Sequence, residues 1–135
     1  ILLAPYAARA IAIEESSSAV SDARENAKGL GNIVFIKART EDALGILKEE
    51  ANLQSTPDAV ILDPPRVGCH PGTLDALLEL GPRRVAYVSC DPPSLARDLD
   101  ILSEGGYKVD SVEPVDMFPQ TYHVECVATM TQASL

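Results

Sequence analysis

Long apolar runs, cysteine pairs and basic residues are scarce in this sequence of 135 residues. No apolar stretch approaches the roughly 20 residues that a membrane-spanning helix needs. The first residues, Ile1 to Pro5, lack both an initiator methionine and the basic region of a signal peptide. We therefore expect a cytoplasmic protein without a membrane partner, and we expect the sequence to begin inside a longer chain.

The three cysteines form no Cys-x-x-Cys pair and have no histidine cluster beside them. An odd count without such spacing argues against a disulfide framework and against a zinc site. We expect a reducing compartment and no bound metal. Cys126 alternates with Val124 and Ala128 and is predicted to lie in the core. Cys69 is also expected to be a small buried residue rather than a nucleophile, although its loop after a proline-rich turn leaves exposure open as an alternative.

Positive charge is also scarce, because 11 Lys and Arg stand against 20 Asp and Glu, which gives a formal net charge of -9. Nucleic acid repels such a surface unless basic residues are gathered locally or supplied by another domain. This segment alone should therefore bind nucleic acid poorly. The apolar content of 46% is ordinary for a folded protein, and the length fits a single domain over residues 1–135.

Four short apolar runs alternate with stretches whose apolar residues recur at helical spacing. The runs cover residues 10–13, 33–36, 59–62 and 85–88, and the helical stretches lie within 19–27, 43–51, 74–78 and 95–102. Runs of this length suit strands buried on both faces, and the alternation predicts a parallel α/β sheet. Residues 107–116 and 123–132 have no helix between them, which predicts an antiparallel hairpin that closes the sheet.

Polar residues stand where two of the predicted strands end. An Asp-Pro-Pro-Arg sequence at 63–66 follows the third run, and Cys90 follows the fourth. Ligands of open parallel sheets bind beyond the carboxyl ends of the strands, so both features face the working edge. A lone cysteine is more often a small buried hydrophobe, but its place at a strand end makes Cys90 a candidate nucleophile.

Four motifs in order resemble the RNA uracil-C5 methyltransferases that use S-adenosylmethionine, the family of the tRNA thymine-54 and 23S ribosomal RNA uracil-C5 enzymes. They are Ile-Glu at 13–14 with Ala-Arg-Glu-Asn-Ala at 23–27, Asp-Pro-Pro-Arg-Val-Gly at 63–68, Val-Ser-Cys-Asp-Pro at 88–92 with Leu-Ala-Arg-Asp at 95–98, and Asp-Met-Phe-Pro-Gln-Thr at 116–121 with His-Val-Glu at 123–125. The family more often has Asn where Asp91 stands.

The resemblance extends over nearly the whole chain and implies a Rossmann-like class I methyltransferase fold. In that fold the sheet is mostly parallel and ends in a C-terminal antiparallel hairpin. The family's first strand and its Gly-rich cofactor loop would precede Ile1. We therefore expect residues 1–135 to be the C-terminal part of a catalytic domain, truncated at its N-terminus and inactive in isolation.

The resemblance also implies a role for each matching residue. Cys90 would add as a thiolate to C6 of uracil, and Glu125 would remove the C5 proton before Cys90 leaves. The start of the following helix and Arg97 are expected to stabilise the thiolate. Glu14 matches the acid that binds the ribose of S-adenosylmethionine, and Asp63 matches the residue that lies beside its methionine part and the target base.

Three further residues are expected at the substrate, namely Arg66, Phe118 and Tyr122. An enzyme that acts on a base must take it out of its stack, so Phe118 and Tyr122 are candidates to stack on a flipped uridine. His123 is expected either to be structural or to orient the site. The resemblance implies tRNA or rRNA as partner, bound mainly through an N-terminal β-barrel domain outside this chain.

Two other functions remain open. Amino-group methyltransferases also use a strand-ending Asp-Pro-Pro motif, but theirs usually ends in an aromatic residue where Arg66 stands, and they need no nucleophilic cysteine. A non-catalytic truncated domain is the second, because a missing central strand leaves its neighbours with unsatisfied backbone groups. The sequence specifies neither the target uridine nor the oligomeric state.

Overall fold

The computed structural model describes residues 1–42, 45–47 and 56–133 of the chain. These residues belong to two compact units, Ile1–Gln54 and Ser55–Leu135. The helix expected within 43–51 and the loop expected at 52–57 fall largely outside the described residues. The single domain stays a prediction.

The first unit is built on two parallel strands. Strand β1 (Ala10–Glu14) leads into helix α1 (Ser17–Asn26), which returns to strand β2 (Ile33–Lys37). The helix starts at Ser16, whose extended backbone and side-chain oxygen, 3.4 Å from the Ala19 nitrogen, form an N-cap. Short 3-10 turns at Ala4–Tyr6 and Thr40–Asp42 precede and follow these elements.

The second unit is a four-stranded mixed sheet with two helices. Its elements are β3 (Ala59–Leu62), α2 (Pro71–Leu80), β4 (Arg84–Ser89), α3 (Pro92–Glu104), β5 (Tyr107–Val115) and β6 (Glu125–Gln132). The strand order is β3-β4-β6-β5, with β3 and β4 parallel and β6 antiparallel to both of its neighbours. The predicted α/β fold, parallel strands and C-terminal hairpin are thereby confirmed.

Both helices of the second unit pack on one face of its sheet. They share a single apolar cluster with the strands, formed by Cys69, Leu74, Leu77, Val85, Tyr87, Leu95, Leu99, Leu102, Tyr107, Cys126, Ala128 and Met130. Successive strand residues point to opposite faces, so alternate residues of β4 and β6 enter this cluster. None of the helices in the described residues is long and apolar enough to cross a bilayer.

The prediction that every apolar run is buried on both faces is wrong for β3. Val60 and Leu62 pack against the apolar cluster, but Ala59 is exposed and Ile61 is 55% exposed. The reason is that α2 and α3 cover only one face of this sheet. Within the described residues β3 pairs with β4 alone, and β1 pairs with β2 alone.

Candidate active site

Three of the predicted site residues lie at one end of the four-stranded sheet. Asp63 directly follows β3, Cys90 directly follows β4, and Glu125 is the first residue of β6. Strands β4 and β6 pair Ser89 with Cys126, so the next positions outward on these antiparallel strands are Cys90 and Glu125. Parallel pairing of β3 with β4 brings Asp63 to the same edge.

Cys90 occupies the short turn between β4 and α3, where it is partly buried. The backbone N–H of Asp91 donates to the Ser89 hydroxyl at 3.1 Å, and the Asp91 carboxylate accepts the Ser94 N–H at 2.9 Å. Asp91 is therefore the N-cap of α3, and Pro92 follows at a position that needs no N–H donor. The cysteine thus lies next to the positive end of a 13-residue helix.

Asp91 links this turn to the loop after β3. The Ser94 backbone N–H holds the pKa of Asp91 below its usual value, and the positive charges of Arg66 and Arg97 lower it further. Arg66 also contacts α3 through its backbone, because its carbonyl accepts the Ser94 hydroxyl at 2.9 Å. The loop that carries Asp63 and Arg66 therefore lies against the start of the helix that follows Cys90.

Arg97 bonds both to its neighbour on α3 and to the loop after β3. Its guanidinium donates to Asp98 Oδ1 at 2.9 and 2.7 Å and to the Val67 carbonyl at 2.9 Å. The hydrogen bond to Asp98 raises the pKa of Arg97. The charge of Arg97 is thus matched by a neighbouring carboxylate, and Arg97 holds the loop against α3. Its role at the Cys90 thiolate stays a prediction.

The three residues expected at the substrate converge on His123. Arg66 Nη2 lies 3.2 Å from His123 Nδ1. The Tyr122 ring lies over His123 with a centroid separation of 4.2 Å, and Phe118 meets the same ring edge-on at 6.2 Å. Tyr122 is 90% exposed and Phe118 is 48% exposed, so this surface is open to a partner.

A tight turn presents this cluster. The Thr121 N–H donates to the Phe118 carbonyl at 3.2 Å, and Gln120 between them has a φ of 65°. A residue other than glycine at positive φ costs energy and often marks a functional segment. The Thr121 hydroxyl accepts the His123 N–H at 3.2 Å, which ties the turn to the start of β6.

The other two cysteines are buried. Cys126 belongs to the core and is 7% exposed, which confirms its predicted place. Cys69 was expected to be a small buried residue, with exposure in its loop left open as the alternative, and the structure confirms burial, because it is only 9% exposed and packs in the same cluster. Burial raises the pKa of the Cys69 thiol, which disfavours the reactive thiolate there.

Glu14 is the last residue of β1 in the first unit. Its side chain is exposed, and its Oε1 accepts the Ser16 N–H at 2.7 Å. The carboxylate thus stands at the carboxyl end of a parallel strand, where cofactors of such sheets bind. Across the described residues, no group of three or more His, Cys, Asp or Glu side chains is arranged to hold a metal ion.

Asp98 had no assigned role in the sequence, whereas His123 was expected either to be structural or to orient the site. Asp98 is fully buried and accepts hydrogen bonds from three other residues, and His123 holds the substrate-side cluster together. A charged residue within the apolar face of a predicted helix was the available signal for Asp98. The His-Val-Glu motif marked His123, but no local pattern indicated its contact with Arg66, which is 57 positions away in the sequence.

The chain matches known proteins over almost its whole length. A family model described as tRNA (uracil-5-)-methyltransferase matches residues 1–133. An uncharacterized RNA methyltransferase of Oceanobacillus iheyensis is 43% identical over 133 residues, which cover 97% of this chain and 28% of that protein. Another uncharacterized RNA methyltransferase, from Chlorobaculum tepidum, is 44% identical over 135 residues, which cover 98% of this chain and 28% of that protein. The chain thus spans about 28% of the length of these curated relatives.

Solved structures give the same picture. The Pyrococcus abyssi tRNA (uracil-54, C5)-methyltransferase in complex with S-adenosyl-L-homocysteine aligns with a TM-score of 0.76 and 32% identity, covering 96% of this chain and 30% of that one. An rRNA methylase from Streptococcus thermophilus aligns with a TM-score of 0.72 at 12% identity, over 98% of this chain and 78% of that one. The second likeness concerns the fold alone.

Proposed function

Because the chain belongs to the tRNA (uracil-5-)-methyltransferase family, we propose that it forms the base-modifying part of an enzyme that methylates C5 of a uridine in RNA. The observation that carries the proposal is the strand register at the sheet edge. Cys90 and Glu125 extend neighbouring strands just beyond the Ser89–Cys126 pair. A nucleophile and a base at adjacent positions suit a reaction that adds at one ring atom and deprotonates the next.

The first step is addition. C5 of uracil is a weak nucleophile, so the Cys90 thiolate attacks C6, and the electron pair of the C5–C6 double bond moves onto the O4 carbonyl. The resulting enolate is nucleophilic at C5. The N-terminus of α3 beside Cys90 favours negative charge at this place.

The last step is elimination. Once C5 carries the new methyl group, it still holds its original proton, and Glu125 removes that proton as a general base. The electron pair then re-forms the C5–C6 double bond, and the Cys90 thiolate leaves. Cys90 thus removes the C5–C6 double bond so that C5 can be methylated, and Glu125 allows that double bond to form again.

S-adenosylmethionine, when bound, supplies the methyl group as an electrophilic sulfonium substituent. Glu14 offers an exposed carboxylate at the end of β1, which fits a pair of ribose hydroxyl donors. Asp63 offers another exposed carboxylate after β3, which fits the ammonium group of the methionine part. An ionised carboxylate only accepts hydrogen bonds, which suits both the ribose hydroxyls and the ammonium group as donors.

The substrate base is bound by the cluster around His123. The exposed rings of Phe118 and Tyr122 provide apolar surface on which an extruded uracil can stack, and Arg66 supplies a positive charge beside them. Most of the RNA affinity comes from parts of the complete protein other than these 135 residues, because their net charge is -9.

The test is covalent trapping with RNA that contains 5-fluorouridine, since fluorine at C5 blocks the elimination step. The complete protein is incubated with such tRNA and, separately, with such rRNA, in the presence of S-adenosylmethionine. We expect a denaturation-resistant complex with one of them and mass-spectrometric location of the link at Cys90. Glu125→Gln is expected to accumulate the same adduct with ordinary uridine RNA.

Cys90→Ala is expected to abolish both the adduct and methylation. The matched control is Cys126→Ala, because that cysteine is buried in the core and is expected to leave trapping intact. Normal turnover in Cys90→Ala would overturn the covalent mechanism. It would then favour an amino-group methyltransferase, which needs no cysteine nucleophile.

A further inference from the structure

Asp98 is a carboxylate buried deep in the second unit. It lies on α3 with no exposed surface and accepts hydrogen bonds at both oxygens. The Cys69 backbone N–H donates to Oδ2 at 2.7 Å, the Tyr87 hydroxyl donates to the same oxygen at 2.5 Å, and Arg97 donates to Oδ1. Burial and the bond to Asp98 together raise the pKa of Tyr87, which keeps its hydroxyl a donor.

The partners of Asp98 come from three different elements. Tyr87 is on β4, Arg97 precedes Asp98 on α3, and Cys69 lies near the end of the loop that begins after β3. Two more side chains of α3 bond to that loop, because Ser94 donates to the Arg66 carbonyl and Arg97 donates to the Val67 carbonyl, each at 2.9 Å. The helix that starts beside Cys90 therefore holds residues 66–69 through three successive contacts.

The approach between loop and helix is too close for any side chain at Gly68. Its φ is +83°, and a Cβ there would lie 2.6 Å from Asp98 Oδ2 and closer still to the Arg97 guanidinium. The loop backbone thus lies directly on the carboxylate. Such contact leaves little freedom for the loop to shift relative to α3.

Burial of a charge is a costly way to stabilise a fold. An ion pair in the interior loses its hydration, and apolar residues of similar volume often stabilise as well or better. What Asp98 offers instead is directional hydrogen bonding to one backbone N–H in the loop. This bond joins the loop after β3 to helix α3. Both elements hold residues of the proposed reaction, since Arg66 is on the loop and Cys90 directly precedes the helix N-cap.

We propose that Asp98 is a positioning residue for the uracil-C5 reaction, which fixes residues 66–69 on α3 and so sets where Arg66 stands relative to Cys90. This inference rests on the proposed function. Asparagine at position 98 keeps the size of the side chain but replaces one acceptor oxygen with an NH2 donor, so it cannot satisfy all of the donors that face Asp98.

The test measures two quantities separately in the complete protein, with 5-fluorouridine tRNA and rRNA as probes. One is the rate constant of adduct formation, and the other is the final fraction of protein trapped. We expect Asp98→Asn to lower the rate constant about 10- to 100-fold, as misplacement on the order of 1 Å does, with an unchanged trapped fraction. A purely structural role would instead lower the trapped fraction and leave the rate constant unchanged.

Asp100→Asn is the matched control, because it makes the same change on the same helix at an exposed position. Its rate constant is expected to equal that of the wild type. If Asp98→Asn does not fold, Ser94→Ala decides, since it removes the bond to the Arg66 carbonyl, together with a local bond to the Asp91 carbonyl, and is expected to slow trapping several-fold. Wild-type rate constants in the folded variants would overturn the inference.

Amide hydrogen exchange keeps this outcome separate from the proposed function. Asp98→Asn is expected to speed exchange at Gly68 and Cys69 at least tenfold relative to Asp100→Asn, whatever the substrate is. Equal exchange would overturn the inference on its own. Absence of any adduct in the wild type would instead overturn the proposed function, and with it the catalytic meaning of the contact.

Discussion

At the scale of single residues, the site depends on backbone positions that tolerate one residue type. Gly68 has a φ of +83° and lies against Asp98, whereas Gly106 has a φ of +95° with no atom within 4 Å of a Cβ placed there. The two glycines share the same backbone requirement but differ in their surroundings. Comparing them separates backbone strain from steric exclusion.

Gly68→Ala is expected to destabilise the protein by about 2–5 kcal/mol, since a methyl group adds overpacking to the strain of positive φ. Gly106→Ala is expected to cost only about 1–2 kcal/mol, for the strain alone. Chemical denaturation of both variants gives the two free energies of unfolding. Equal costs would mean that the loop moves away from Asp98 without penalty.

The N-cap Asp91 predicts a pH dependence of stability. Its folded-state pKa is lowered, chiefly by the Ser94 N–H, so its charge stabilises the fold above the unfolded value and ceases to do so as pH falls through the folded value. Asp91→Asn keeps a capping oxygen but lacks the charge. The difference in melting temperature between wild type and variant should therefore hold from pH 7 to about pH 5 and shrink below about pH 4.

Melting curves at pH 7, 5 and 3 check this expectation. The Asp100→Asn variant serves as reference for loss of an exposed carboxylate elsewhere on α3. A difference that stays constant down to pH 3 would show that the charge of Asp91 contributes nothing to stability.

At the scale of elements, helix α3 joins the core to the site. Its apolar side enters the core through Leu95, Leu99 and Leu102, while Ser94 and Asp98 reach the loop after β3. Cys90 immediately precedes its N-cap. Any loss of packing along α3 therefore changes the support of the candidate nucleophile.

Leu102→Ala is expected to cost about 2–5 kcal/mol, because Leu102 has no exposed surface and its truncation leaves a cavity. Asp100→Ala on the exposed side of the helix is expected to stay within about 0.5 kcal/mol of the wild type. Urea titration measures both. A cost below about 1 kcal/mol for Leu102→Ala would mean that the core collapses around the gap.

At the scale of the whole molecule, net charge opposes the proposed substrate. With a formal charge of -9, the 135 residues offer little to offset the phosphates of RNA, and the chain spans about 28% of the length of its relatives. RNA affinity is therefore assigned to the complete protein.

The 135-residue chain alone is expected to bind tRNA or rRNA no more tightly than the nonspecific range of about 10⁻⁴ to 10⁻⁶ M at physiological salt. The complete protein is expected to bind at least about tenfold tighter, because its further residues can supply cations. Fluorescence anisotropy with labelled RNA at two salt concentrations measures both affinities. Equal affinities would place the RNA-binding surface within these residues.

Much of the fold followed from patterns that are local in the sequence. Apolar runs separated by helical spacing indicated β1 to β4 and the helices α1, α2 and α3, and the helix-free tail indicated the β5–β6 hairpin. The rule that parallel strands present their carboxyl ends at one edge brought Asp63 and Cys90 together in advance. The exposure of one face of β3 could not be foreseen, because it depends on which face of the sheet the helices cover.

The sequence by itself determined the order of strands and helices, the candidate nucleophile and base, and the family, since these depend on neighbours along the chain. Only the tertiary structure decided that Arg66 meets His123 and that Asp98 holds the Cys69 backbone, contacts between residues 57 and 29 positions apart. Such pairs have no periodic signature. The Asp98 contact forms because burial leaves a charged group no water to bond, so it must find its partners wherever the packed chain provides them. The Arg66–His123 contact lies at the surface and depends on how the fold brings the loop after β3 next to the segment before β6.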